Sequence, residues 1–195
     1  SITTFVAIFL LRPFAISIKL VDQPNSRKLH TGSIPLIGGM SMYIGLVVSI
    51  LAAKIDLNHY NYFLLGSFIV VVIGILDDSH NISVALRLFF QILVAAIIVS
   101  VGNVLIVSLG EILWVGNIVL NEWAYFVSII AIIAGMNAVN MTDGIHGLAG
   151  GNSLITFLAV VFLSKDLDWQ SNSSVLISIL FCAIILVFLI HNLCL

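Results

Sequence analysis

Apolar residues run along this chain in long blocks, and polar residues gather between them. The blocks fall near residues 1–14, 36–53, 61–76, 86–101, 122–136, 152–164 and 174–191. None shows the strict alternation of a half-buried strand. In lipid a segment must satisfy its own backbone, which leaves helices and closed barrels; runs of this length without alternation select the helix. The pattern predicts an all-α chain, a polytopic transmembrane helical bundle of about seven spans. These form one integral membrane domain over residues 1–195. Several blocks are shorter than the ~20 residues that cross a bilayer, so their helices are expected to extend into the flanking polar segments. The first, SITTFVAIFLL, has 11 residues before Arg12–Pro13 and reads as the tail of a truncated span. The last, FLIHNLCL, stops as polar residues appear, so the chain is expected to be incomplete at both ends. Segment 102–121 differs: it sets Gly102, Gly110 and Gly116 among β-branched residues and is expected to be an extended hairpin or a short surface helix.

Composition sharpens this picture. Of 195 residues, 61% are hydrophobic and 8% charged, against roughly 45–50% and about 25% in soluble domains. The mean hydropathy is +1.23. A soluble core of this size could not hide so much apolar surface. The net charge is −2 and there is no basic patch, so nucleic acid is not among the expected partners. Cys182 and Cys194 share one apolar run and read as small lipid- or core-facing residues rather than a disulfide.

Counting crossings sets sidedness. The polar segments 19–35, 77–85 and 137–151 are each two spans apart and fall on one face, while 54–60, 102–121 and 165–173 fall on the other. The first face carries Arg12, Lys19, Arg27, Lys28 and Arg87, and the second Lys54 and Lys165. Positive charge favours the cytoplasmic side, so the first face is expected to be cytoplasmic. It also collects most of the candidate chemistry.

In GILDDSHNIS, Asp77 and Asp78 are adjacent at the end of a block. Neighbouring carboxylates repel, which calls for a cation, and Mg²⁺ suits one or two carboxylates plus waters and substrate phosphates. The pair equally fits a solvated helix end. In NMTDGIHG, Asp143 lies between Asn140 and Gly144, with Gly147, Gly150 and Gly151 following. Such glycines let backbone N–H groups approach an anion, ahead of a helix start that favours negative charge; a plain turn between spans explains the glycines as well. His146, like His80 and His30, reads alone as a boundary residue. In VDQPNSRKLHTGSIPLIGG, Arg27, Lys28 and His30 could fix topology, touch anionic lipid or clamp a lipid-borne phosphate. Together these groups amount to a toolkit for metal-assisted phosphoryl transfer at a membrane surface.

VDQPNSRKLHTGSIPLIGG, GILDDSHNISVALR and NAVNMTDGIHGLAGG, in that order and with HNL near the end, resemble the polyprenyl-phosphate N-acetylhexosamine-phosphate transferases (glycosyltransferase family 4). Within that family the chain is most similar to the bacterial branch that uses undecaprenyl phosphate. The resemblance covers essentially the whole chain, and it implies that the bundle is part of a larger fold of about ten or eleven spans. It implies transfer of N-acetylglucosamine phosphate from UDP-N-acetylglucosamine, or another UDP-N-acetylhexosamine, to undecaprenyl phosphate, with UMP released. That is a first membrane step of surface polysaccharide synthesis such as O-antigen. It implies Mg²⁺, with Mn²⁺ as a substitute, a bacterial inner membrane with the active face cytoplasmic, contact with membrane lipid, and it admits a homodimer.

Residue by residue, the resemblance makes Asp77 and Asp78 the catalytic pair, Asp77 deprotonating the lipid phosphate or attacking as nucleophile. Asp143 and Asp78 become metal ligands. Asn137, Asn140 and His146 contact the nucleotide sugar, and Arg27, Lys28 and His30 the lipid phosphate. Two departures stand out. His146 replaces the second Asp of the usual Asp-Gly-Ile-Asp-Gly, and the family's Gly-Asp-Ala-Gly-Ser segment and His-rich loop lie outside the chain. This stretch alone is therefore expected to be inactive. Two other classes compete: a transporter or proton path, since intramembrane carboxylates can mark one, and an inactive scaffold or pseudoenzyme, which the His146 departure motivates.

Overall fold

The computed structural model describes residues 1–18, 20–22, 34–56, 60–80, 82–112, 116–142, 147–164 and 172–194. Among them are seven α-helices: α1 Ile2–Ser17, α2 Gly38–Ala52, α3 Asn61–His80, α4 Val84–Ser100, α5 Ala124–Thr142, α6 Leu148–Leu163 and α7 Ser173–Cys194. The strands are short: β1 Val21–Asp22 pairs with β2 Ile34–Pro35, and β3 Ser108–Ile112 with β4 Gly116–Val119, both antiparallel. The chain is an all-α membrane bundle. Three stretches are long and apolar enough to cross a bilayer, Asn61–His80, Asn121–Thr142 and Ser173–Asn192; α1, α2, α4 and α6 are shorter apolar helices.

Each predicted apolar block holds one helix, and two of these helices extend into a polar flank as expected. The helix over block 61–76 runs on to His80, and the helix over 122–136 runs on to Thr142. Helical hydrogen bonding stays inside its own segment, so a helix continues past the apolar stretch until polar groups compete for its backbone. Helix α2 went the other way: it occupies 38–52 within the block 36–53 and does not extend into its flanks. Between α4 and α5 lies a hairpin followed by a 3₁₀ turn, Asn121–Trp123, which decides between the two alternatives for segment 102–121.

The helices divide between two compact units. The first holds Ser1–Asp56, Gly74–Asn81 and Thr142–Leu195, and the second Leu57–Ile73 and Ile82–Met141; α3 contributes to both.

In the first unit, α1 lies antiparallel on α2. Their contact is made of small and hydroxyl-bearing residues. Thr3 Oγ1 donates to the Gly45 carbonyl at 3.3 Å and meets Ser49 Oγ at 3.1 Å. Thr4 is fully buried, and a Cβ on Gly45 would overlap it. In lipid there is no hydrophobic drive between helices, so close backbone approach and interhelical hydrogen bonds do the joining. At the other end of this pair, Ile8, Ala15, Leu20 and Ile37 form a buried cluster, with Met40 and Ile75 packed on it. Helix α7 packs on α1, α2 and α6. Its Phe188 ring closes on Gly38 and its Leu189 on Gly150, where an added Cβ would come within 2.8 and 2.7 Å of them. The Phe157 and Phe181 rings stack between α6 and α7 with centroids 4.6 Å apart.

In the second unit, Gly66 on α3 faces Val94 and Ile98 of α4, whose Val94, Ala95 and Val99 are buried. Ser128 of α5 accepts from the Ile106 N–H at 2.8 Å and so ties the start of the hairpin to that helix. Gly110, at φ +77°, sits where the β3–β4 register shifts, a conformation that costs a side chain strain.

Gly45→Ala is expected to lower thermal stability in detergent by about 1–3 kcal/mol through overpacking. Gly39→Ala, which meets nothing within 4 Å, is expected to leave it unchanged or raise it slightly.

Candidate functional site

Helix directions in the first unit decide which polar segments share an end. Ile75 joins the cluster of Ala15, Leu20 and Ile37. Phe188 and Leu189, near the end of α7, lie on Gly38 and Gly150, near the starts of α2 and α6. The C-terminal ends of α1, α3 and α7 and the N-terminal ends of α2 and α6 therefore come together. The β1–β2 pairing joins the two flanks of segment 23–33 at this end, Val21 opposite Pro35 and Asp22 opposite Ile34. Thr142 and Gly147, the flanks of segment 143–146, belong to the same unit.

Asp77 and Asp78 sit here, in the last turn of α3. Asp77 is half-buried and Asp78 exposed. Adjacent residues on an α-helix diverge by about 100°, so the two carboxylates present different directions to their surroundings. Ser79 returns its hydroxyl to the Ile75 carbonyl at 2.7 Å and meets His80 Nδ1 at 2.8 Å, which finishes the helix locally. A carboxylate oxygen is a hard donor of the kind Mg²⁺ takes, and each of the two offers such a donor in its own direction. Among the described residues no group of three or more His, Cys, Asp or Glu gathers as a cation cage. The third candidate ligand, Asp143, lies outside the described residues, as do His146, Arg27, Lys28 and His30.

Asn137 and Asn140 belong to the second unit. The polar segment 137–151 begins as helix: both asparagines stand on the extension of α5, three residues apart and so on neighbouring parts of one face. Asn140 is exposed. Asn137 is engaged. Its Nδ2 donates to Gln91 Oε1 at 2.8 Å and to the Ile133 carbonyl at 2.9 Å, and Gln91 Nε2 donates back to Asn137 Oδ1 at 3.5 Å. Both Asn137 N–H groups are thus used, and the amide couples α5 to α4. Gln91 is the residue that sequence reasoning missed. Its signal was present: one amide in the apolar run LRLFFQILVAAIIV, where lipid makes an unpartnered polar group costly.

The glycines following Asp143 also divide by role. Gly147 is the N-cap of α6 at φ +78°, and glycine has no side chain with which to cap the helix. Gly150 is inside α6 and is the seat of Leu189. Its smallness serves helix packing.

A family model for glycosyl transferase family 4 matches residues 60–194. The undecaprenyl-phosphate alpha-N-acetylglucosaminyl 1-phosphate transferase of Yersinia pestis is 40% identical over 156 residues, covering 80% of this chain and 43% of the relative. The enzyme of the same name from Escherichia coli O157:H7 is 40% identical over 162 residues, 82% of this chain and 44% of its own. A probable undecaprenyl-phosphate N-acetylglucosaminyl 1-phosphate transferase of Bacillus subtilis (strain 168) is 34% identical over 170 residues, 84% and 46%. The chain spans less than half the length of these curated relatives. No solved structure matches it.

Gln91→Leu is expected to destabilise the protein by about 0.6–1.7 kcal/mol, and a double-mutant cycle with Asn137→Leu to return a coupling energy in that range. Thermal unfolding of the four variants in one detergent checks both values.

Proposed function

Because the chain belongs to glycosyl transferase family 4, we propose that the protein transfers N-acetylglucosamine phosphate from UDP-N-acetylglucosamine to undecaprenyl phosphate. The reaction takes place at the cytoplasmic face of a bacterial inner membrane. The family resemblance and the names of the relatives support the substrates. The observation that carries the reading is the common end of the first unit, where Asp77 and Asp78 stand with the flanks of segments 23–33 and 143–146. The excess of basic residues that the crossing count assigns to one face supports a cytoplasmic side for that face.

A phosphate oxygen of the lipid attacks the β-phosphorus of the nucleotide sugar. The bond from that phosphorus to the oxygen bridging the two phosphates breaks, and UMP leaves with the electron pair. Asp77 takes the proton from the lipid phosphate and so raises its nucleophilicity. Arg27, Lys28 and His30 hold the lipid phosphate by charge-assisted hydrogen bonds. Asn140 has an exposed amide for the nucleotide sugar, and Asn137 keeps α5 in register through Gln91. Asp78 and Asp143 would hold Mg²⁺, which when bound offsets negative charge on the pyrophosphate.

His146, where the family pattern has an aspartate, favours a second reading as a transferase-inactive scaffold. One assay separates the two. The full-length protein, reconstituted with undecaprenyl phosphate and radiolabelled UDP-N-acetylglucosamine, is expected to form labelled lipid and UMP in the presence of Mg²⁺. Asp77→Asn and Asp143→Asn are each expected to reduce the rate by roughly 10²–10⁴-fold, and His146→Asp to lower the Mg²⁺ concentration needed for half the maximal rate. Wild-type rates in both asparagine variants would overturn the site, and no transfer by the unmodified protein would favour the scaffold.

A further inference from the structure

Between α4 and α5 the chain forms a two-stranded ribbon that leaves several of its large apolar side chains exposed. Val107, Leu109 and Val119 are 60%, 50% and 54% exposed, and Trp123 just beyond them 68%. An isolated two-stranded hairpin is marginal in water, because one face has to be covered for it to persist. The hydrocarbon interior is equally excluded: both edges of a two-stranded ribbon carry backbone N–H and C=O groups that lipid tails cannot satisfy. A ribbon with apolar side chains and unpaired edges is stable where both demands are met, at the boundary of headgroups and acyl chains.

Its tethers hold it at that depth. It joins Ser100, the last residue of α4, to Ala124, the first of α5. Gly102 lies against the Tyr62 ring near the start of α3, and Ser128 holds the Ile106 N–H. The ribbon is therefore continuous with the ends of apolar helices. Large apolar side chains are exposed on both sides of it too, Val101 before the ribbon and Trp123, Tyr125 and Phe126 after it. Trp123 and Phe126 meet edge to face at 6.2 Å; amphipathic Trp and Tyr rings concentrate at the headgroup level. Residues 101–123 contain Glu111 and Glu122 and no Lys or Arg, so attraction to anionic headgroups is absent and apolar burial has to hold the ribbon.

We propose that the β3–β4 ribbon lies in the headgroup–acyl boundary of the bilayer, as a surface anchor that fixes the depth of the α4–α5 pair. The occupant of its apolar surface is lipid.

The test is site-directed spin labelling of the full-length protein in zwitterionic nanodiscs, with Cys182 and Cys194 replaced by alanine. Nitroxides are attached at Leu109→Cys and, separately, at Val119→Cys, so that one poorly folding variant does not decide the matter. Expected at both sites are collisions with oxygen exceeding those with a water-soluble nickel chelate, at a depth of about 5–10 Å below the headgroups. Nickel collisions exceeding those of oxygen would place the ribbon in water. Low collision rates with both reagents would place protein over it, whether another segment or a second copy. Either of these results would overturn the proposal.

Discussion

Lipid offers no hydrogen bonds, and from that constraint the rest of this structure follows. Every backbone group inside the bilayer has to be paired within its own segment, so the apolar runs become helices. Polar side chains are pushed to helix ends or into pairs. Ser1, Thr3 and Ser49 pair among themselves, Gln91 pairs with Asn137, and Ser128 pairs with the ribbon backbone. The same solvent removes the hydrophobic drive between helices, so contact has to come from shape. Thr4 on Gly45, Phe188 on Gly38 and Leu189 on Gly150 are contacts of that kind: a large or branched side chain seated where the opposing helix has none.

The seats on Gly38 and Gly150 do more than join helices. Both lie near the start of a helix and both receive residues near the end of α7. They set the directions of α2 and α6 and bring the flanks of two polar segments to one end of the first unit. Ile75 does the same for α3, just before Asp77 and Asp78. The candidate chemistry is thus positioned by apolar packing just beneath it. A change in the packing layer would move the carboxylates without touching them.

Asn137 illustrates how a site residue and a structural residue can be one and the same. Its amide is committed to Gln91 and to the Ile133 carbonyl, which fixes the face that α5 turns to α4 and hence the direction in which exposed Asn140 points. The resemblance to sugar-phosphate transferases singled out both asparagines alike, whereas their surroundings give them different work.

Much of this was legible in the sequence. Seven apolar blocks named seven helices, because burial in lipid depends on composition and run length, which are local. The hairpin was half legible, because glycine and β-branched residues at 102–121 fit a hairpin but left a short surface helix open. The family was legible too, since the motifs around Asp77, Asp78 and Asp143 are strings of adjacent residues. Tertiary structure alone decided the rest. It set how far each helix runs, α3 to His80 and α5 to Thr142 while α2 stays inside its block. It seated Leu189 on Gly150, and it gave Gln91 its partner. Each of these depends on which distant residues meet across two helices, and a linear pattern does not encode that before the helices have packed.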